Sequence, residues 1–138
     1  ALNIMKGEVM PYRTLVTKEL AELFGVLSHP QRIHIVEELY AGEKDVNSLA
    51  EILQISQSGV SQHLSLLRAH KLIVERKQSR NVFYHLRHPE LASWALGGLK
   101  FAGPQQEDVE QFLSAVEKAR SAWSDGTAQS GSRAAEKE

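Results

Sequence analysis

The stretch from Ser56 to Lys71, SQSGVSQHLSLLRAHK, constrains this chain more than any other. At helical spacing Val60, Leu64 and Leu67 fall at i, i+4 and i+7 and form one apolar stripe. Gln57, Ser58, Ser61, Gln62, Ser65 and Arg68 take the other side. That side carries no charge before its last turn and no acidic residue at all. Short hydroxyls and amides can approach a base edge closely, and they do not repel phosphate. Ser56 stands where an N-cap belongs and marks the start of the helix. The same residues would equally suit a serine-rich surface helix, so the flanking sequence has to decide.

Upstream, a short helix is expected at about Asn47–Leu53, with Leu49, Ile52 and Leu53 inward and Ser48 and Glu51 at capping-box spacing. Ile55-Ser56 then forms a turn. A short helix, a tight turn and a longer polar-faced helix make a helix-turn-helix. Downstream, Leu72-Ile73-Val74 opens one strand and Asn81–Leu86 gives a second, with Val82, Phe83 and Tyr84 favouring extended backbone. Between them Arg76-Lys77-Gln78-Ser79-Arg80-Asn81 has the polarity of a hairpin loop and a basic charge. This is a wing.

The remaining chain supplies helices. Residues 1–11 lack helical periodicity and are expected to form a flexible arm. From Tyr12 to Leu27 the residues Leu15, Val16, Leu20, Leu23, Phe24 and Leu27 keep a helical period. Pro30 opens a second helix from a first-turn position, and Gly42 closes it. Pro89 opens another, with Leu91, Trp94, Ala95, Leu99 and Ala102 on one face and Gly97-Gly98 weakening it. Gly103-Pro104 ends that run. Residues 105–123 form an amphipathic C-terminal helix with Val109, Phe112, Leu113, Val116 and Trp123 in period, and residues 124–138 have the composition of a disordered tail. The expected class is mainly α (α+β). It is a winged helix-turn-helix spanning residues 12–102, with about five core helices, a two-stranded β-wing and the extra C-terminal helix.

The segment SQSGVSQHLSLLRAHKLIVERKQSRNVFYHL resembles the recognition helix and wing of the ArsR/SmtB family of winged-helix repressors. The most specific part is Val60-Ser61-Gln62-His63-Leu64 followed by Leu67-Arg68. Leu27-Ser28-His29-Pro30-Gln31-Arg32-Ile33 is similar to the family's entry into its second helix, and the resemblance covers roughly residues 14–100. It implies a homodimeric transcriptional repressor that binds double-stranded DNA at a pseudo-palindromic operator, with recognition helices roughly 34 Å apart. The candidate DNA-binding residues are Ser56, Gln57, Ser58, Ser61, Gln62, Ser65 and Arg68 on the helix, with Arg76, Lys77 and Arg80 on the wing. Gln57 and Gln62 suit bidentate reading of adenine, while Lys71, Arg68 and the wing suit phosphates. His63 projects away from Ser61, which favours a packed or phosphate-touching histidine over a base reader, and the resemblance, in which the His-Leu pair is a motif feature, implies the structural role. The resemblance places the dimer interface on the first helix and the helix from Pro89, with Leu20, Phe24, Leu91, Trp94 and Leu99 as candidates. The plainer reading of these five residues is core.

Departures from the family pattern bear on sensing and on turns. Many members bind metal through cysteines near the start of the third helix, but this chain has no cysteine, and Asp45-Val46-Asn47 stands there. Other members carry ligands on the last core helix, and Leu91–Lys100 offers none. His85 and His88, with Glu90, leave a histidine/carboxylate metal-responsive repressor as an alternative. No cofactor and no metal are expected, and an organic effector is left open. The family's usual glycines after the recognition helix and in the wing are Lys71 and Ser79 here, which puts both turns in question.

A net charge of -1 does not advertise nucleic acid, but it hides a polarity. Residues 56–88 hold six basic residues against one acidic, whereas residues 103–138 hold four against seven. The positive charge sits on the suspected DNA-binding segment. It argues against the second alternative, a winged-helix protein-interaction module that has lost DNA binding. An enzyme finds no support: there is no cysteine nucleophile, phosphate-cradling glycine loop or histidine/carboxylate cluster. No apolar run approaches the ~18–20 residues that span a bilayer, and no export leader is evident, so the expected location is cytoplasmic.

Overall fold

The computed structural model describes residues 2–101 and 109–124 of the 138-residue chain. The helix α2 (Pro30–Ala41) is the post on which the other elements pack, touching α1 (Leu2–Leu27), α3 (Val46–Leu53), α4 (Gln57–Ala69), α5 (Leu91–Gly97), α6 (Val109–Ser124) and the second strand of the wing. Its Ile35 and Val36 are 0% and 1% exposed. Pro30 occupies the first turn, where its missing N–H costs nothing. The N-cap is His29, whose Nδ1 accepts the Gln31 N–H at 3.1 Å. Gly42 ends the helix at φ 156°, a region open to glycine, and donates its N–H to the Leu39 carbonyl.

The core is one cluster drawn from every layer. Val26 and Leu27 come from α1, Leu49 and Leu53 from α3, and Val60, Leu64 and Leu67 from α4. The strands add Ile73 and Leu86, and α5 adds Ala92. Full burial of such a side chain contributes about 1.5–3 kcal/mol, so three of them hold α4 firmly with one face outward.

Two expectations are corrected. Residues 1–11 were expected to form a flexible arm without helical periodicity, yet the helix of α1 begins at Leu2 and runs through Pro11. The expected capping box led by Ser48 also does not form. Asp45 is the N-cap of α3 and its carboxylate accepts the Ser48 N–H at 2.8 Å. An acid three residues ahead suits the positive end of the helix better than a hydroxyl one turn in.

The wing is a two-stranded antiparallel hairpin, β1 (Ile73–Gln78) and β2 (Asn81–Leu86), with Ile73 opposite Leu86 and Gln78 opposite Asn81. The strands extend further than the polarity suggested and leave only Ser79 and Arg80 as the loop. Lys44 pairs with Tyr84 as an isolated bridge and fastens the α2–α3 connection to β2. After α5 a single 3-10 turn covers Gly98–Phe101, so the glycine pair does end the α-helix. Gly103-Pro104, Ala102 and the tail from residue 125 lie outside the described residues. The expected C-terminal helix appears as α6, Val109–Ser124. Among the described residues no helix is long and apolar enough to cross a membrane.

Candidate nucleic-acid interface

α4 begins where its sequence says it should. The Ser56 hydroxyl accepts the Gly59 N–H at 3.0 Å, and a larger residue at 59 would put its Cβ 3.2 Å from that oxygen. The turn before it depends on Gln54 at φ 55°, the left-handed C-cap of α3. Val60, Leu64 and Leu67 are buried beneath, and Gln57, Ser58, Ser61, Gln62, Ser65 and Arg68 are exposed above. The polar face read from the sequence is therefore presented whole, with no acidic side chain on it.

The end of α4 is a Schellman turn. The Lys71 N–H reaches the Arg68 carbonyl at 2.9 Å and the Leu72 N–H reaches the Leu67 carbonyl at 3.0 Å. This requires a left-handed residue, and Lys71 supplies it at φ 60°. Ser79 does the same at the first loop position of the wing, at φ 56°. Both positions thus keep the geometry a glycine would favour, at a steric cost that an L side chain bears and glycine does not. The turn geometry questioned on sequence is retained.

The basic residues divide into two groups. Lys77 and Arg80 are exposed at the wing tip and form no ion pair among the described residues. Arg68 donates to Glu75 on β1 at 2.9 Å, with the arginine side chain 56% exposed. Arg76 is held more tightly. Its Nε and Nη2 grip both carboxylate oxygens of Glu43 at 2.8–3.2 Å, its Nη1 donates to Gln78 at 3.0 Å, and its guanidinium stacks 5.2 Å from the Phe83 ring centroid. These hydrogen bonds hold the Glu43 carboxyl below its usual range.

His63 lies on the inner flank of α4. Its ring sits 4.6 Å from that of His29, and its Nδ1 is 3.3 Å from Arg32 Nη1. Arg32 also reaches back to the carbonyls of Val26 and Gly25, so it ties α1, α2 and α4 together. Partial burial, followed by the neighbouring His29 and Arg32, lowers the His63 pKa and favours the neutral ring. Neither His29 nor Arg32 was singled out on sequence for this contact, and their separation in the chain left no local signal. His85 and His88 do not come together with Glu90 as one group. His85 Nδ1 is 3.6 Å from Glu43 and His88 Nδ1 is 3.6 Å from Glu90. Among the described residues no three histidines or carboxylates converge in a manner that could hold a metal ion.

The five residues expected at a dimer interface separate by burial. Leu91 and Leu99 are half-buried, and Leu91 packs against the core. Leu20, Phe24 and Trp94 are 45%, 55% and 49% exposed. Phe24 stacks on Trp94 with ring centroids 6.1 Å apart and planes within 6°, so α1 and α5 present a joint apolar surface.

Comparison with known proteins decides the family. The family model for the bacterial regulatory protein, arsR family, matches residues 29–73, which spans α2, α3, α4 and the entry to β1. The transcriptional repressor PagR of Bacillus anthracis is 34% identical over 87 residues, covering 62% of this chain and 83% of PagR. The chain belongs to the arsR family. It is a DNA-binding transcriptional regulator of that family and not an enzyme. Solved structures agree with the arsR fold. The transcriptional repressor BigR from Xylella fastidiosa is 31% identical with a TM-score of 0.56, over 71% of this chain and 97% of that one. NolR from Sinorhizobium fredii is 27% identical with a TM-score of 0.61, over 67% and 93%. The arsR match begins at His29, so the capping histidine and Arg32 lie inside the family's own segment.

Proposed function

We propose that this arsR-family chain acts as a homodimeric repressor that reads a pseudo-palindromic operator with α4 and grips the flanking phosphates with the wing. The observation that carries the reading is the exposed, acid-free face of Gln57, Ser58, Ser61, Gln62 and Ser65 above a fully buried Val60-Leu64-Leu67 stripe. Such a face can enter a major groove without electrostatic penalty, and its two glutamines can make bidentate contacts with adenine. Ser56 caps the helix and leaves the first turn aimed at the bases. Lys77 and Arg80 contact phosphate. Arg68 joins them, because a single exposed ion pair is worth only about 0–1 kcal/mol and a phosphate can replace Glu75. Arg76 is set apart from this group by its grip on Glu43.

The second copy docks on the surface made by Leu20, Phe24 and Trp94. Exposed aromatic side chains stacked across two helices are apolar area that a monomer would leave in water. A two-fold dimer then sets the half-site spacing at about one helical turn of duplex. Occupancy of the operator by such a dimer would exclude polymerase, which is the repressor role.

Fluorescence anisotropy against fragmented genomic DNA from the source organism, at two salt concentrations, tests the reading. Tight binding that weakens steeply with salt is expected, and selection of the bound fragments should return a repeated, two-fold sequence. Absence of binding at low salt would refute it.

A further inference from the structure

We infer that Glu43 is a positioning residue for DNA binding: its carboxylate pins Arg76 across the hairpin and so sets the wing against the helix-turn-helix. The inference rests on the DNA-binding reading above and concerns how the wing is aimed.

The argument starts from register. Lys44 pairs with Tyr84 through both backbone bonds, at 3.2 Å and 2.9 Å. Alternation along an extended chain then puts Glu43 on the face of β2 that carries Phe83 and His85. In the hairpin Arg76 lies opposite Phe83 on that same face. The Glu43 carboxylate thus reaches across β2 to β1, and captures a guanidinium 33 residues further along the chain. His85 Nδ1 stands 3.6 Å from the same carboxylate, too far for a hydrogen bond, and this buried nitrogen has no hydrogen-bond partner among the described residues. Arg76 is the partner the carboxylate takes.

Two features distinguish this pair from an ordinary surface ion pair. All three nitrogens of the guanidinium are engaged, two of them by Glu43 and one by Gln78, and its face lies on Phe83. A planar fork bound at both teeth and stacked has a defined direction, which a single lysine-type contact lacks. The residues next to Glu43 also tie into other elements. Lys44 Nζ donates to the Glu38 and Gly42 carbonyls of the α2 end, at 2.7 Å and 3.3 Å. Asp45 caps α3. Three consecutive residues therefore join α2, the first helix of the helix-turn-helix and both wing strands. The wing tip, with Lys77 and Arg80, begins one residue beyond Arg76, so its angle to α4 is set at this joint.

The sign of one substitution separates this role from direct phosphate contact. If Arg76 were a phosphate ligand restrained by Glu43, removing the acid would free a cation beside DNA and tighten binding. A strut predicts the reverse. The test is anisotropy with an operator duplex selected from genomic DNA, over a salt series, for Glu43→Gln, Arg76→Gln, Arg76→Lys, Arg80→Gln and the exchange Glu43→Arg with Arg76→Glu. Glu43→Gln, Arg76→Gln and Arg76→Lys should each weaken operator binding about three- to tenfold, the scale of one well-made interaction. None of the three should change the slope of log K against log salt. Arg80→Gln should lower that slope by about 0.9, the value for one fewer neutralised phosphate. The exchange should recover most of the affinity that the single variants forfeit. Amide hydrogen exchange across β1 and β2 should quicken in Glu43→Gln while the helices stay protected. Tighter binding by Glu43→Gln, or a slope lowered by Arg76→Gln, would overturn the inference. If no variant bound DNA differently, Arg80→Gln included, the DNA-binding reading would be at fault, and unchanged exchange in Glu43→Gln would independently reject the strut.

Discussion

Lys71→Gly should stabilise this protein although it deletes a side chain and touches no core residue. Lys71 stands at φ 60° as the left-handed residue of the turn that closes α4. For an L side chain that conformation costs roughly 1–2 kcal/mol, because Cβ crowds the carbonyl that follows. Glycine escapes the clash but gives the unfolded chain more freedom, which costs about 0.5–1 kcal/mol in return. The difference leaves a gain of about 0.5–1 kcal/mol. The backbone bonds from Lys71 to Arg68 and from Leu72 to Leu67 need no side chain and remain in place. Urea unfolding at fixed protomer concentration would show the midpoint rising with an unchanged m-value, and a thermal melt would rise by about 2–6 °C. The control is Lys71→Ala, which removes the same charge and keeps the Cβ. It should show no gain. A Gly variant no more stable than the Ala variant would show that the turn carries no strain and that the argument from φ is mistaken.

Other consequences can be checked in parallel. Gln62→Ala should lose about 1–3 kcal/mol of discrimination at one base position in each half-site while leaving random-sequence binding unchanged, as measured by competition with single-substituted operators. Loss spread evenly over all sequences would contradict a base-reading role. Asp45→Ala removes the cap of α3 and should cost about 1 kcal/mol in urea unfolding, whereas Ser48→Ala, which the sequence pattern would have ranked higher, should cost less. His63 has a lowered pKa in the fold, so below about pH 6.5 the unfolded chain takes up a proton that the folded protein resists. Stability is therefore full above that value and falls as the pH drops through the lowered one. The urea midpoint should decline across this window in the unmodified protein, and His63→Gln should remove that component of the decline. A midpoint profile identical in the two proteins would exclude the His63 contribution.

The features legible in the sequence were those whose cause is local. The stripe of Val60, Leu64 and Leu67, the Ser56 cap, Pro30 in a first turn and the β-favouring run Val82-Phe83-Tyr84 each follow from preferences set within a few residues. Periodicity and capping are properties of a short segment, and they suffice to locate the helix-turn-helix and its exposed face. The start of α1 and the cap of α3 escaped for the same reason in reverse. Residues 2–11 carry no apolar period from which a helix could be read, and Asp45 competed with a more familiar pattern at Ser48.

Tertiary structure alone decided which partners the charged residues take. A count over residues 56–88 treats Arg68, Arg76, Lys77 and Arg80 as equivalent, because nothing near them in sequence tells them apart. Folding brings Glu43 across β2 to Arg76 and His29 and Arg32 against His63, partners separated by about thirty residues or more. Electrostatic interaction depends on distance in space, and composition records only how many charges there are. The face that could meet DNA was written in the helix, while the choice of which cations remain free to meet it was made by the packing of α2, α3 and the wing.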